Sequence, residues 1–265
     1  MTYCLAVEDI AGLEVPKRGQ YIRIIISELE RLHSHFLWLG LAAHLIAFDS
    51  LFMKCFATRE RIMEMLEIIT GNRVNYAMNI IGGARRDISK EQFKELLQAI
   101  KETEEEFKGI YTIYTSDSSI AARTKGVGIL TKKDALIYGA CGPHGRASNV
   151  NFDVRKTMPY NSYEDFDFKV ALAEDEDVFS RAVVRLVEIE ESFKIIKQAV
   201  KNMPDGPINL GNKIPRVPKG ESLAVTEAPR GEVSYFVVSN GGQTNSRVNI
   251  HVPTFKNAAT VPVML

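Results

Sequence analysis

The stretch from Pro16 to Asp49, PKRGQYIRIIISELERLHSHFLWLGLAAHLIAFD, limits most sharply what this chain can fold into. It has proline at its start, none later, and good helix formers throughout, so it predicts one long helix or two continuous ones. At about 100° per residue, Ile22, Ile25, Ile26, Leu29, His33, Phe36, Leu37 and Gly40 fall along one side, which reads as core. A second stripe carries Tyr21, Ile24, Glu28, Arg31, His35 and Trp38. An acid, a guanidinium and an imidazole thus rise on one line through successive turns, an arrangement suited to carrying protons or holding a buried polar site.

The rest of the chain must supply what packs against that helix. With 265 residues, 45% of them hydrophobic, a substantial core is available in one large domain or two small ones. The 33 basic and 33 acidic side chains cancel, which removes the electrostatic footprint of a nucleic-acid binder. Cys4, Cys55 and Cys141 are few, odd in number and far apart, as expected in a reducing compartment and not in a disulfide framework. The longest apolar run, Phe36 to Phe48, is interrupted by His44 and falls short of the roughly 20 residues that span a bilayer. The expectation is a soluble or peripheral chain with no signal peptide.

In order along the chain, the opening Met1 to Glu8 is already periodic and predicts a helix. Thr58 is a candidate cap for a helix running to about Ile69, with Gly71 as its stop. Gly82-Gly83 marks a turn. Ser89 and Gln92 form a capping-box pattern for a helix to about Tyr114, whose Glu102 to Glu106 run reads as a solvated face. Thr131 caps a short helix to Tyr138, and Asp177 to Met203 is a long helix ending at Pro204. Beyond it Pro204, Gly206, Pro207, Gly211, Pro215, Pro218 and Gly220 predict loop, then Val233 to Val238 and Arg247 to Val252 a pair of strands around Asn240-Gly241-Gly242. The predicted architecture is mainly α: a long-helix bundle over 1–203 with a small β-containing appendage over 204–265, together one domain.

Candidates for chemistry are sparse. His33 and His35 lie about 200° apart on a helix and cannot share one ion, and His35 and His44 also diverge. With no C-x-x-C and no H-E-x-x-H, no self-sufficient metal site is predicted. His35 alone reads as a hydrogen-bonded interior histidine. No G-x-S-x-G elbow is present, and Gly82 to Arg86 lacks the spacing of a phosphate-binding loop. Arg230, between Pro229 and Gly231, is either an ordinary turn arginine or a guanidinium held out to a close partner, because proline fixes its approach and glycine leaves room.

Several separated stretches then resemble one family in order: Tyr3 to Glu8, Tyr21-Ile22-Arg23, Glu28-Leu29-x-Arg31-Leu32-x-x-His35, Thr70 to Arg73, Ile81-Gly82-Gly83, Asp153-Val154-Arg155-Lys156-x-x-Pro159-Tyr160, and Glu227 to Glu232. Together they resemble the large, catalytic subunit shared by membrane-bound energy-converting nickel-iron hydrogenases and the 49-kDa subunit of respiratory complex I. The resemblance implies a helix bundle docked on a small subunit that carries an iron-sulfur cluster, with other hydrophilic-arm and membrane-arm subunits as partners. It places the complex in the cytoplasm, peripheral on the inner face of the plasma membrane. In the hydrogenase branch electrons from reduced ferredoxin reach a nickel-iron centre and reduce protons; in the other branch the equivalent cavity receives quinone. In the hydrogenases the Pro-Arg-Gly arginine hangs over the reaction site, a role that falls to Arg230 beside Pro229. The resemblance sets Tyr3 at the quinone headgroup and puts His35 on the cavity.

Val74-Asn75 and the run His44-x-x-x-Phe48-Asp49 resemble the hydrogenase branch. Two departures stand against it. Nickel-iron members hold their metals with two C-x-x-C pairs, one just before the Tyr3 segment and one past the equivalent of Leu265, and this chain has neither. Leu45 stands where an acidic residue is expected. The sequence therefore reads as the interior of such a subunit or as a metal-free member. It further predicts that Arg31→Ala strands Glu28 as a buried charge at a cost of about 3–5 kcal/mol.

Overall fold

The computed structural model describes residues 1–211, 216–242 and 244–265; Pro215 lies outside them. Helix α1 (Thr2–Ala11) leads through Val15-Pro16 into α2 (Lys17–Leu45), the predicted long helix, unbroken. Proline ahead of the first turn fixes the entry of the chain, and no later proline interrupts the ladder. Its apolar stripe is buried, with His33 and Leu37 half-buried, and the polar stripe of Tyr21, Ile24, Glu28, Arg31 and His35 is buried as well. A helix covered on nearly all sides is the axis of a bundle, not a surface element.

A tight turn over Ile46–Phe48, with Ala47 at φ 58°, folds α3 (Asp49–Thr70) back along α2. This corrects the reading of Thr58 as a cap: Thr58 lies inside α3, buried, and donates to Glu106 Oε2 at 3.0 Å. No side chain caps α3. Its first turn is held instead by packing of Leu51 and Cys55 into the core, so a search for a polar cap starts the helix too late. A two-stranded ribbon, β1 (Asn79–Ile80) and β2 (Gly83–Ala84), turns at the predicted glycine pair. The Ser89–Gln92 capping box starts α4 (Lys90–Ser116), whose Phe107 ring meets Phe36 and Phe193 edge-on, each with centroids 5.9 Å apart. The Glu102 to Glu106 run is less solvated than its charge suggests: Arg61 of α3 pairs with Glu102 and Glu106, and Lys197 with Glu104.

Short helices α5 (Ser118–Thr124), α6 (Lys132–Ile137, capped by Thr131), α7 (Gly142–Arg146) and α8 (Val154–Thr157), and a 3₁₀ turn at Tyr163–Asp165, wrap the bundle before α9 (Val178–Lys201). Asp177 caps α9, accepting from Ser180 N at 2.8 Å. The helices α2, α3, α4 and α9 share one apolar core.

The C-terminal part holds a three-stranded antiparallel sheet, β3 (Lys219–Ala228), β4 (Gly231–Asn240) and β5 (Asn245–His251), followed by α10 (Pro253–Ala258) and α11 (Val261–Met264). The predicted strand pair is β4 and β5. Strand β3 falls where the sequence predicts loop, because prolines and glycines crowd its approach and Glu221 and Glu227 break its apolar pattern. It is fixed by pairing with β4 along its whole length, from Lys219↔Asn240 to Ala228↔Gly231. That register leaves Pro229 and Arg230 alone at the hairpin tip. Helix α1 covers one face of the sheet through Ala6 and Val7 against Val237.

Candidate functional site

The polar stripe of α2 meets three segments remote in sequence. Glu28 accepts from Arg31 Nε (3.2 Å), Arg155 Nη1 (3.2 Å), the Tyr163 hydroxyl (2.6 Å) and the Ser192 hydroxyl (2.7 Å). Burial pushes its carboxyl up, but the Arg31 and Arg155 charges and the two hydroxyls hold it below the usual range. His35 donates from Nε2 to Glu188 Oε2 at 2.8 Å, and Arg146 closes on the other Glu188 oxygen from Nε (2.9 Å) and Nη2 (2.7 Å). Arg146 Nη1 goes on to Glu227 Oε1 at 2.9 Å, and Arg155 grips Asp153 with Nε at 3.0 Å and Nη2 at 2.7 Å. One connected, buried ionic network therefore runs from α2 through α7, α8 and α9 to the end of β3.

This placement changes two sequence expectations. Glu28, Arg31 and His35 do not open on a cavity, the place expected for His35; they are buried, closed over by α9, the 146–163 segment and β3. Nor does Arg31→Ala strand Glu28, because Arg155, Tyr163 and Ser192 remain. The interior-histidine reading of His35 agrees with its 1% exposure. Burial outweighs the Glu188 carboxylate and pulls the His35 pKa down to about 4, so the ring is neutral near pH 7 and its Nε2 must carry the hydrogen.

A cavity of about 450 Å³ opens on the other side of α2. Glu30, His33 and Ser34 line its helix wall, Tyr76 stands opposite, and Pro229 and Arg230 at the β3–β4 tip form its rim. Arg59 donates to His33 Nε2, which leaves the proton of the neutral ring on Nδ1. Burial and the Arg59 and Arg230 charges lower the His33 pKa to about 4. Arg230 is exposed and makes no ion pair among the described residues. Of the four residues expected around a substrate, the structure brings Pro229 and Arg230 together here. His35 points the other way, and Tyr3 lies elsewhere, its ring edge-on to Tyr235 and its hydroxyl accepting from Asn245 Nδ2 at 2.8 Å.

The sequence profile described as respiratory-chain NADH dehydrogenase, 49 kDa subunit, matches residues 46–216 and 210–265. The chain belongs to this 49 kDa subunit family. Its relatives include a carbon monoxide-induced hydrogenase of Rhodospirillum rubrum, 40% identical over all of this chain and 73% of the relative. An NADH-quinone oxidoreductase component of Clostridium beijerinckii is 38% identical over 99% of this chain and 71% of its own length. A membrane-bound hydrogenase alpha subunit of Pyrococcus furiosus is 38% identical over 98% and 64%. The 49 kDa family is one of oxidoreductase-complex subunits, and among the described residues no helix is long and apolar enough to cross a membrane.

The donors of this 49 kDa-family chain do not fit a four-cysteine nickel-iron centre. Cys4, Cys55 and Cys141 are all buried and separate; burial raises each thiol, Cys55 to about 12 and Cys141 to about 11, so none is a ready thiolate. Among the described residues no three His, Cys, Asp or Glu side chains converge as a metal set.

Sequence reasoning passed over Arg146, Glu188, Glu30 and Tyr76, and weighed His33 only as core and as a metal ligand. Glu188 carried a usable signal: an acid between Val187 and Ile189 on the apolar side of a helix demands a buried partner. His33 carried none, since it was read as core.

The buried His35 and the half-buried His33 and His144 give a pH prediction. His33, His35 and His144 all have folded pKa values near 4, depressed from 6.5 chiefly by burial. Between those values the unfolded chain binds more protons than the folded one, so stability rises with pH there and falls as pH drops from about 6.5 to about 4. Thermal melts across this window are expected to show a steadily falling midpoint, with a shallower slope in His35→Asn.

Proposed function

We propose that this chain is the large-subunit core of a membrane-bound, ferredoxin-linked energy-converting hydrogenase complex, receiving electrons from an iron-sulfur cluster in a neighbouring small subunit. In that reading it sits on the cytoplasmic face of the membrane with other hydrophilic-arm and membrane-arm subunits. The observation that carries it is the 40% identity, over the full chain, to a protein named as a hydrogenase. The His44–Asp49 pair adds to it, since Nδ1 and Oδ1 lie 2.8 Å apart at the α2–α3 turn in the run that resembles the hydrogenase branch.

The chain's own contribution in this reading is the wall of a reaction site. Arg230 brings a permanently charged group with five donors to the rim of the cavity, where it stabilises negative charge developing on a reduced species. His33, neutral and fixed by Arg59, offers an Nδ1 donor beside it. No step is assigned to a nickel-iron centre, whose ligands the described residues do not supply.

A second reading has its own support. The cavity volume lies within the roughly 300–1,000 Å³ usual for small-molecule sites, and relatives named as components of NADH-quinone oxidoreductase are nearly as similar. There the cavity takes a quinone or another small acceptor without a resident metal.

Both readings make Arg230 a working residue; a scaffold that only bridges subunits does not. In the purified native complex Arg230→Ala is expected to slow turnover on the order of a hundredfold, as loss of one preorganised donor does, with the melting point unchanged. Turnover equal to the parent would reduce the chain to a scaffold.

A further inference from the structure

At the tip of the β3–β4 hairpin only Pro229 and Arg230 lie outside the ladder, because pairing runs to Ala228↔Gly231. The Arg230 side chain has no hydrogen-bond partner among the described residues. Its position is therefore set by the backbone behind it, and that backbone is gripped from α2. Arg31 Nη2 donates to the carbonyl of Glu227 at 2.7 Å and Nη1 to the carbonyl of Ala228 at 3.2 Å.

The way Arg31 spends its donors is informative. An arginine engaged mainly in ion pairing turns its fork to a carboxylate, as Arg155 does to Asp153 with two bonds. Arg31 gives Glu28 a single N–H from Nε at 3.2 Å and aims the fork at two successive carbonyls. Glu28 does not require more, being satisfied by Arg155, Tyr163 and Ser192. The guanidinium is 1% exposed, so both carbonyl bonds are charge-assisted and the one to Glu227 is shielded from water.

Other contacts complete the seat. The Glu227 N–H donates to the Tyr160 hydroxyl at 3.2 Å, and its carboxylate accepts from Arg146 Nη1 at 2.9 Å and Val154 N at 3.2 Å. Beyond the tip, a Cβ on Gly231 would lie 2.8 Å from Gly142 N. Each of these holds a residue beside the tip; among the side chains of the described residues, Arg31 is the one that donates to both carbonyls leading into Pro229.

We propose that Arg31 is a positioning residue: by gripping the Glu227 and Ala228 carbonyls it sets the pose of the Pro229–Arg230 tip at the cavity rim. The proposal rests on the reading of Arg230 as a working residue. Arg31 touches no substrate and acts through Arg230.

The test uses Arg31→Lys in the native complex, which keeps a cation beside Glu28 and loses the two-carbonyl grip. Arg31→Gln serves as the second variant where the lysine form does not assemble. Amide exchange is measured on the peptide covering 228–233, and turnover is measured in parent and Arg230→Ala backgrounds. The expected result is faster exchange at Arg230 and Gly231 with the rest of β3 and β4 unchanged. Turnover falls on the order of tenfold at unchanged KM, the scale of a sub-ångström misplacement. In the Arg230→Ala background the same substitution changes turnover less than about twofold, because a residue acting only through Arg230 has nothing left to act on. Unchanged exchange at the tip overturns the proposal, as does a tenfold loss repeated in both backgrounds. If Arg230→Ala leaves turnover at the parent level, the reading of Arg230 fails, while the exchange data still decide whether Arg31 seats the tip.

Discussion

Glu188→Ala is expected to destabilise the fold by about 3–5 kcal/mol, the scale of removing one partner from a buried charge pair. For a chain of this size that lowers Tm by roughly 6–20 °C. Glu188 is the junction of the buried network: Arg146 places two donors on one of its oxygens and His35 holds the other. Its removal leaves the Arg146 guanidinium, 1% exposed, with Glu227 and the more distant Asp153 at 3.6 Å, and leaves the His35 N–H without an acceptor. Glu188→Gln retains a carbonyl for one of these bonds and is expected to fall between parent and alanine form. Arg31→Ala is expected to cost less than Glu188→Ala, since Glu28 keeps three partners. A Glu188→Ala melt within about 2 °C of the parent contradicts this account of the network.

Gly142→Ala is the second large effect, and it links fold to site. Gly142 has φ +65°, and a Cβ there would lie 2.4 Å from the Arg230 carbonyl oxygen and 2.4 Å from Gly231 Cα. Both neighbours are backbone, so no rotamer change relieves the clash. Left-handed strain of about 1–3 kcal/mol adds to an overpacking cost of about 1–3 kcal/mol. Relief comes by pushing the hairpin tip away from α7, which moves Arg230. Melting point and turnover are expected to fall together, whereas Arg230→Ala lowers turnover alone. A Gly142→Ala complex with parental stability and rate contradicts the close seating of the tip.

Much of the frame was legible in the sequence. The long α2, its two stripes, the Ser89–Gln92 box, the Thr131 cap and the β4–β5 pair all follow from local chemistry, where periodicity and short-range bonds decide. What escaped depends on distance in the chain. Strand β3 exists because β4 pairs with it, and nothing inside a proline-flanked stretch containing Glu221 and Glu227 announces that. The partners of Glu28 and His35 come from residues 146–163, 188–192 and 227, so the stripe was visible as a line of polar groups but its sealed environment was not. The choice between His33 and His35 as the cavity histidine turned on which side of α2 the hairpin tip approaches, a matter of tertiary packing alone. Arg230 was singled out as a candidate through its flanking proline and glycine, whereas the Arg31 grip on the carbonyls behind it leaves no mark in sequence.

The central claim, that this 49 kDa-family chain forms the core of a ferredoxin-linked hydrogenase complex, meets its most direct test in the native complex purified with all its subunits. Hydrogen evolution from reduced ferredoxin is measured together with reduction of a soluble quinone, the latter with and without a quinone analogue. The account predicts hydrogen evolution driven by ferredoxin and no response to the analogue. A complex that evolves no hydrogen from ferredoxin and whose turnover requires quinone and is blocked by the analogue contradicts it.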